Sequence, residues 1–307
     1  GKDRLTVLTS LVVCYHIRWA RSSKPLPSLL SAWWAVVMWY HRIQFLPFLL
    51  PLQLFARTSS SKLWLKRQRR DPFVRNARIN SYRCRSAFKL LQINDLVPGG
   101  LIRPGDIVVD CGAAPGSWTQ VAVKLSFAAT STAGGSASSF THSRPRGTVI
   151  SLDLQQFEPV DGAVCLGGID IRKTAEVAAL IQRHVCLSRG TATFGGVDVV
   201  LSDIAPIASG LPDLDHPALI ALAESVLKLS LHVSRPGASL LLKLWNCDEV
   251  KDFVKLLERF YPGSSHEHTK RRQNYACRIL KPPASRSDSA ELYLFARGLS
   301  FADRENY

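Results

Sequence analysis

The chain has 307 residues, 46% of them hydrophobic, and a formal net charge of +15 at pH 7. This length and composition are enough for one full α/β core with a substantial appendage. Its seven cysteines are scattered without a C-x-x-C pair, which excludes a disulfide scaffold and a cysteine-based zinc site.

The first 70 residues form a basic extension. They carry twelve Lys and Arg against a single acid, Asp3, and hold +11 of the net charge. The acid-free stretch from Arg4 to Arg70, rich in Arg, Ser, Leu and Trp, is typical of a mitochondrial presequence. The apolar run from Leu29 to Tyr40 is interrupted before it reaches the roughly 18 residues of a membrane span. A mitochondrial protein without a transmembrane helix is therefore expected.

A second basic stretch leads into the first predicted helix. Its cations are Lys66, Arg67, Arg69, Arg70, Arg75, Arg78, Arg83, Arg85 and Lys89. They predict an anion-binding face, with a solvated charged surface as the alternative. Ser86 is the predicted N-cap of a helix that runs to Leu96 and is stopped by the Pro98-Gly99-Gly100 sequence.

The next segment predicts a strand followed by a ligand-binding turn. The β-branched run from Ile107 to Asp110 meets a small-residue turn with Gly112 and Gly116, and then a helix over residues 118–125. Such a turn lets backbone amides approach an adenosine cofactor at the end of a parallel strand. The G-x-G-x-x-G fingerprint is missing and Pro115 removes one N–H, which disfavours NAD or FAD and favours S-adenosylmethionine. An ordinary tight turn is the alternative.

Residues 126–146 are rich in Ser, Ala, Gly and Thr and predict an inserted flexible loop. The strand over residues 148–153 ends in Asp153. Once the insertion is discounted, Asp153 lies about 20 residues after the first strand, where nucleotide-binding units place a ribose-binding carboxylate. Asp153 is therefore the candidate ligand of the cofactor ribose.

The remaining pattern alternates strands and helices, which predicts a parallel-rich sheet with helices on both faces. The predicted elements are strand 163–166, helix 174–187, strand 197–201, helix 216–233, strand 238–245, helix 249–261 and strand 291–296.

Three charged residues occupy positions that buried strands rarely tolerate: Asp203, Lys243 and Glu291. Lys243 either extends its amine to solvent from a strand end or pairs with Asp203 across the sheet.

His266 and His268 are two positions apart, which indicates two side chains on one face of a strand rather than a metal site, and no metal site is expected. A further basic cluster precedes Glu291 and comprises Lys270, Arg271, Arg272, Arg278, Lys281 and Arg286.

Five ordered motifs carry a resemblance to a known family. They are RCRSAFKL (83–90), DCGAAPGSW (110–118), SDIAP (202–206), LKLW (242–245) and ELY (291–293). From Asp71 to Arg297, without the insertion, the chain resembles the FtsJ-type RNA methyltransferases. The resemblance implies a Rossmann-like α/β fold with a mostly parallel seven-stranded sheet. It also implies methyl transfer from S-adenosylmethionine to ribose 2′-hydroxyls.

The resemblance also implies roles for individual residues. The family's catalytic tetrad corresponds to Lys89, Asp203, Lys243 and Glu291, with Lys243 as the central group that accepts the ribose proton or stabilises the alkoxide. Ile207 departs from the family, which commonly has Asn there. The implied cofactor-binding residues are Gly112, Pro115, Gly116, Ser117, Trp118, Asp153, Asp170, Ile171 and Asp203.

The implied acceptor is large-subunit rRNA, in particular a uridine of the peptidyl-transferase A-loop, modified during assembly of the mitochondrial large ribosomal subunit in the matrix. The N-terminal extension would be a presequence or a segment that contacts the ribosome or assembly-factor proteins. One alternative is an assembly factor that binds immature rRNA with an idle methyltransferase fold, which the extension and Ile207 favour. A small-molecule methyltransferase is disfavoured by the basic residues.

Overall fold

The computed structural model describes residues 66, 68–127, 146–262 and 277–301. The elements in chain order are α1 (Pro72–Ile79), α2 (Ala87–Leu96), β1 (Ile107–Cys111), α3 (Ser117–Ser126), β2 (Thr148–Asp153), β3 (Ala163–Gly167), α4 (Thr174–Arg189), β4 (Val197–Ser202), α5 (Pro212–Val233), β5 (Ser234–Trp245), α6 (Glu249–Phe260), β6 (Cys277–Leu280) and β7 (Glu291–Arg297).

The strands of the described residues form one seven-stranded sheet in the order β3-β2-β1-β4-β5-β7-β6. The first five of these are parallel, while β7 runs antiparallel between β5 and β6. The predicted fold class is confirmed. Because β7 is antiparallel, its first residue arrives at the edge where the parallel strands end, and this edge carries the candidate site.

Apolar side chains pack on both faces of the sheet. In β5, Leu240, Leu242 and Leu244 contribute to the core beneath α4, α5 and α6, whereas Leu241 faces the core of α2 and α3. β1 is buried along its whole length, which is typical of a central parallel strand. The two cores hold the strand ends rigidly, so the loops at the carboxyl edge start from fixed positions.

Two elements were not predicted, α1 and β6. The helix α1 begins with Asp71, whose carboxylate accepts the N–H of Phe73 at 3.0 Å, and with Pro72 in the first turn. Phe73 then packs on Phe88 of α2 with ring centroids 5.6 Å apart. Because the composition of α1 is basic, its narrow apolar face was not recognised in the sequence and the helix was not predicted. β6 has only four residues and depends on its pairing with β7.

The start of β5 differs from the prediction. Residues 235–237 were expected to form a turn before a strand beginning at Ala238, but the strand already begins at Ser234. Ser234 pairs with Val197, and the register of the β4–β5 pair shifts between Val197 and Val199. Such an irregularity lets Pro and Gly lie within the strand without disrupting the ladder beyond it.

Several predictions lie outside the described residues. These are the basic extension up to residue 65, the apolar run 29–40, most of the insertion (128–145), the pair His266 and His268, and the cations 270–272. Within the residues that are described, no helix combines the length and hydropathy needed to cross a membrane. All six cysteines in these ranges are free, and only Cys111 is fully buried.

Candidate active site

The candidate site lies at the carboxyl edge of the sheet, around the point where the chain changes direction of winding. β1 is flanked by β2 on one side and by β4 on the other. In doubly wound sheets ligands bind at this point, because loops on either side leave towards opposite faces and open a crevice.

The turn after β1 is shaped for close backbone approach. Gly112 has φ of +76°, and a Cβ at this position would overlap the side chain of Ile204. Gly116 has φ of +105°, and a Cβ there would lie 2.6 Å from a guanidinium nitrogen of Arg83 and 2.9 Å from Val160. Glycine is therefore required at both positions, by conformation and by space.

Arg83 fixes this turn from outside. Its guanidinium donates to the carbonyl oxygens of Pro115 at 2.7 Å, Pro159 at 2.6 Å and Glu158. Its backbone N–H donates to Gln120 Oε1 at 3.0 Å. Arg83 thus belongs to the scaffold of the turn.

Asp153 stands beside the glycine turn, at the end of β2. Its Oδ2 accepts the N–H of Ala114 at 2.9 Å, and its Oδ1 accepts the N–H of Gln155 at 2.7 Å. Each oxygen keeps lone-pair capacity for a ribose hydroxyl. The next residue, Leu154, is exposed and offers apolar surface at the same edge. Sequence patterns alone did not single out Leu154.

The other expected cofactor residues differ in exposure. The side chains of Ser117 and Trp118 are buried, so at the start of α3 their backbone amides are the groups available to a ligand. Ile171 is likewise buried in the core. Asp170 forms a bidentate pair with Arg172, which lowers the pKa of Asp170 to about 2 and keeps a full negative charge there.

Asp110 lies beneath the turn and is fully buried. Its Oδ2 accepts the hydroxyl of Thr119 at 2.8 Å, whereas its Oδ1 has no hydrogen-bond partner among the described residues. Burial raises the pKa of Asp110 to about 7, the Thr119 hydrogen bond opposes the rise, and the carboxylates of Asp203 and Asp153 add to it. This orphaned carboxyl favours a cationic ligand in the crevice, as a sulfonium cofactor would be.

Lys243 and Asp203 form the first ion pair of the site. The Nζ of Lys243 lies 3.1 Å from Asp203 Oδ1 and donates to the Asp203 carbonyl oxygen at 2.5 Å. Both side chains are at least four-fifths buried. The sharper of the two sequence hypotheses for Lys243, pairing across the sheet, is the arrangement found.

Lys89 and Glu291 form the second ion pair, with Nζ and Oε2 2.6 Å apart. The other oxygen of Glu291 accepts the hydroxyl of Ser285 at 2.8 Å. Burial raises the pKa of Glu291, but the charge and hydrogen bond of Lys89, the Ser285 hydroxyl and the charge of Lys243 outweigh it and lower the pKa. Glu291 is therefore ionised between two cations.

Tyr293 lies between the two pairs, and sequence reasoning gave it no role. It is the register partner of Lys243 in the β5–β7 ladder. Its hydroxyl donates to Asp203 Oδ1 at 3.2 Å, and the Nζ of Lys89 lies 5.8 Å from the centre of its ring. The ring packs against Trp118 at 5.7 Å. Tyr293 thus connects the tetrad to the helix that follows the glycine turn.

Two expectations for the basic stretch need correction. Ser86 does precede α2, but its hydroxyl makes no capping bond and instead lies 2.7 Å from the Ser117 hydroxyl. Arg85 is not part of a surface, because its guanidinium pairs with Asp71 and donates to the carbonyl oxygen of Ala284. Six described cations of this stretch are exposed, and one of them, Arg83, is held by the glycine turn; the other five are Lys66, Arg69, Arg70, Arg75 and Arg78.

One group of potential metal ligands occurs among the described residues. The ligand atoms of His216, Cys247 and Glu249 lie within 4.8 Å of one another. Burial and the hydrogen bond to Glu249 raise the pKa of the Cys247 thiol. Within this cluster the side chains of Cys247 and Glu249 are hydrogen-bonded to each other.

Fold and site together define a Rossmann-like α/β methyltransferase: a glycine turn after β1, an acid after β2, and two Lys–acid pairs at the same edge. Comparison with known proteins assigns the chain to one family within this class. A model of the FtsJ-like methyltransferase family matches residues 82–299, and the chain belongs to this family.

Individual relatives agree with this assignment. The chain is 41% identical over 252 residues to rRNA methyltransferase 2, mitochondrial, of Drosophila melanogaster, covering 82% of this chain and 88% of the relative. It is 36% identical over 236 residues to ribosomal RNA large subunit methyltransferase E of Methanothrix thermoacetophila, covering 76% and 75%. A crystal structure of a Plasmodium falciparum protein assigned as a ribosomal RNA methyltransferase shares the fold, with a TM-score of 0.52, 18% identity and coverage of 71% and 98%.

Proposed function

We propose that the protein transfers a methyl group from S-adenosylmethionine to the 2′-hydroxyl of a ribose in mitochondrial large-subunit rRNA, at a uridine of the A-loop. The observation that carries this proposal is the meeting of Lys89–Glu291 and Lys243–Asp203 beside the glycine turn. The names of the relatives, one mitochondrial and others specific to the large subunit, support large-subunit rRNA as the substrate and the mitochondrion as the location, and we place the protein in the matrix, where such rRNA is found.

The cofactor would be held mainly by backbone groups. The turn around Gly112 and Gly116 and the first amides of α3 would hold the methionine part, Asp153 would bind the ribose hydroxyls, and Asp170 would serve the adenine end. Asp203 would contact both cofactor and acceptor. When bound, S-adenosylmethionine supplies a methyl group that its sulfonium charge already activates.

Lys243 acts on the ribose hydroxyl. An ammonium group has three N–H donors, and Lys243 directs two contacts at Asp203, to the carbonyl oxygen and to Oδ1. The third position of Nζ serves the ribose hydroxyl: its proton leaves to solvent before the reaction, and the lone pair then accepts the hydroxyl proton as the ribose oxygen bonds to the methyl carbon and the carbon–sulfur bond breaks. Asp203 and Glu291 hold the two amines in place and balance their charge. Much of the acceleration comes from holding oxygen and methyl within reach.

The exposed basic face of α1 and the residues before it favours contact with the rRNA backbone. Arg75 and Arg78 lie on α1, which packs through Phe73 on α2, the helix that carries Lys89. Phosphates bound along α1 would therefore run towards the tetrad. The acceptor nucleotide has to be splayed out to reach Lys243, which favours a loop over a regular duplex.

Methylation of a mitochondrial large-subunit rRNA transcript tests the proposal. We expect Lys243→Met to lower kcat by about 10²–10⁴-fold while S-adenosylmethionine binding is retained. Lys255→Met is the control, because Lys255 is an exposed lysine of α6 paired with Asp252. A Lys243→Met enzyme that methylates at the wild-type rate would contradict the mechanism.

Mapping of ribose methylation in mitochondrial rRNA, with and without the protein, identifies the nucleotide. A site outside the A-loop would change the assigned uridine and leave the chemistry intact. If the wild type introduces no methylation yet supports subunit assembly, the fold is idle and the protein acts as an assembly factor.

A further inference from the structure

Ile207 is the most exposed large apolar side chain of the described residues, at 99%, where the others on the surface range from 47% to 69%. It lies on the loop that leaves β4 through Asp203. The proposed methyl-transfer chemistry gives Ile207 no role. Its position beside the tetrad makes it a candidate contact for the acceptor.

The loop that presents Ile207 is held at both ends. At its start, Asp203 is bound by Lys243 and Tyr293, and Ile204 packs over Gly112. At its far end, the buried carboxylate of Asp215 accepts hydrogen bonds from the Ser209 N–H at 2.8 Å, the Ser209 hydroxyl at 2.8 Å and the Gly210 N–H at 3.0 Å. Ile207 is therefore presented on a fixed support, and little ordering entropy is lost when it is covered.

The loop is also without charge. From Ile204 to Pro212 it contains no ionisable side chain, although the chain as a whole carries +15. A neutral, apolar segment offers phosphates no counter-charge, which favours a nucleobase as its partner within an RNA complex. Apolar side chains, Ile among them, insert against bases in this way.

Distance favours a base next to the acceptor nucleotide. Ile207 is four positions after Asp203, so at roughly 3.3–3.6 Å per residue the two lie at most about 14 Å apart. The acceptor ribose has to reach Asp203 and Lys243. The nucleotides within Ile207's reach are therefore the immediate neighbours of the one that is methylated.

We propose that Ile207 is a platform for an unpaired nucleobase that flanks the methylated nucleotide in the RNA. This inference rests on the proposed function and adds a residue that selects and positions the acceptor. By covering the flanking base, Ile207 compensates for stacking that the RNA loses when the acceptor nucleotide is splayed out.

The test compares steady-state methylation of the rRNA transcript by Ile207→Ala, Ile207→Leu and the wild type. Ile207→Ala should raise the KM for RNA by about tenfold, since it removes most of the apolar side chain. The kcat and the dissociation constant of S-adenosylmethionine should not change, and Ile207→Leu should stay near the wild type. A 2-aminopurine base beside the acceptor should change fluorescence on binding to the wild type but not to Ile207→Ala.

Leu187→Ala is the matched control. Leu187 is 67% exposed on the last turns of α4, next to Arg189, which bonds to residues Thr148 and Gly105 at the opposite edge of the sheet. This variant should leave every parameter unchanged.

Three outcomes would contradict the proposal that Ile207 is a platform for a flanking base. The KM for RNA of Ile207→Ala could equal that of the wild type. The kcat and cofactor binding could change with it, which would mean that the loop acts through Ile204 on the glycine turn. The defect could appear only with assembling subunits and not with naked RNA, which would identify a protein as the occupant. An inactive wild type, in contrast, would refute the proposed function itself.

Discussion

Asp110 gives a quantitative prediction, because its burial links stability to pH. Its pKa rises from 3.8 in the unfolded chain to about 7 in the folded protein. Between these values the folded state binds more protons than the unfolded state, so the free energy of unfolding falls as pH rises. A difference of roughly three pKa units corresponds to about 4 kcal/mol at most. This destabilisation is absent below pH 4 and complete above pH 7.

Asp110→Asn is neutral in both states and lacks this dependence. Urea unfolding followed by circular dichroism between pH 4 and 8, without cofactor, should show the variant gaining about 4 kcal/mol on the wild type as pH rises. Asp252→Asn is the control of opposite sign, because the Lys255 hydrogen bond lowers the pKa of this exposed carboxyl. Parallel pH curves for wild type and Asp110→Asn would refute the argument from burial.

Three further predictions concern the turn, the tetrad and the RNA-binding face. Gly112→Ala should abolish S-adenosylmethionine binding measured by calorimetry, and it should lower Tm more than Gly210→Ala does. Gly210 has a similar φ, but nothing lies within 4 Å of a Cβ added there. Equal effects of the two substitutions on Tm would exclude the Ile204 contact as the cause. Tyr293→Phe should destabilise the protein by about 1–3 kcal/mol, because it removes a hydrogen bond to the Asp203 carboxylate. It should also lower kcat more than it changes KM. A wild-type kcat would show that Lys243 alone positions Asp203. Replacing Arg75 and Arg78 by Gln should weaken RNA binding and reduce its salt dependence, whereas Arg183→Gln on α4 should not; an unchanged salt slope would exclude α1 from the interface.

Six of the seven described strands and the charged residues Asp203, Lys243 and Glu291 follow from local patterns, whereas the role of Lys89 followed only from the family resemblance. Short apolar runs that end in a charged residue or a glycine, as at Asp110 and Asp153, indicate the end of a strand from a few neighbouring residues alone. Lys243 was conspicuous because an amine interrupts an apolar strand. Patterns of this kind can be recognised in the sequence because burial of the strand in the fold is what produces them.

The contacts that complete the site depend on residues far apart in the chain. Tyr293 bonds to Asp203 across 90 positions, and Arg85 reaches Ala284 across 199. No spacing rule identifies such partners, because their meeting is decided by strand order and register. The same holds for α1, where a basic composition suggests a surface and only packing on Phe88 reveals the helix.

The position of Glu291 has a consequence for biosynthesis. Its partner Lys89 lies 202 positions earlier, and β7 is the last strand of the described sheet. A nascent chain has to be translated almost to the end of this domain before the second ion pair can form. Products that stop before residue 291 would retain the glycine turn and Lys243 yet lack Glu291, so termination or proteolysis upstream of β7 would leave them without an assembled catalytic centre.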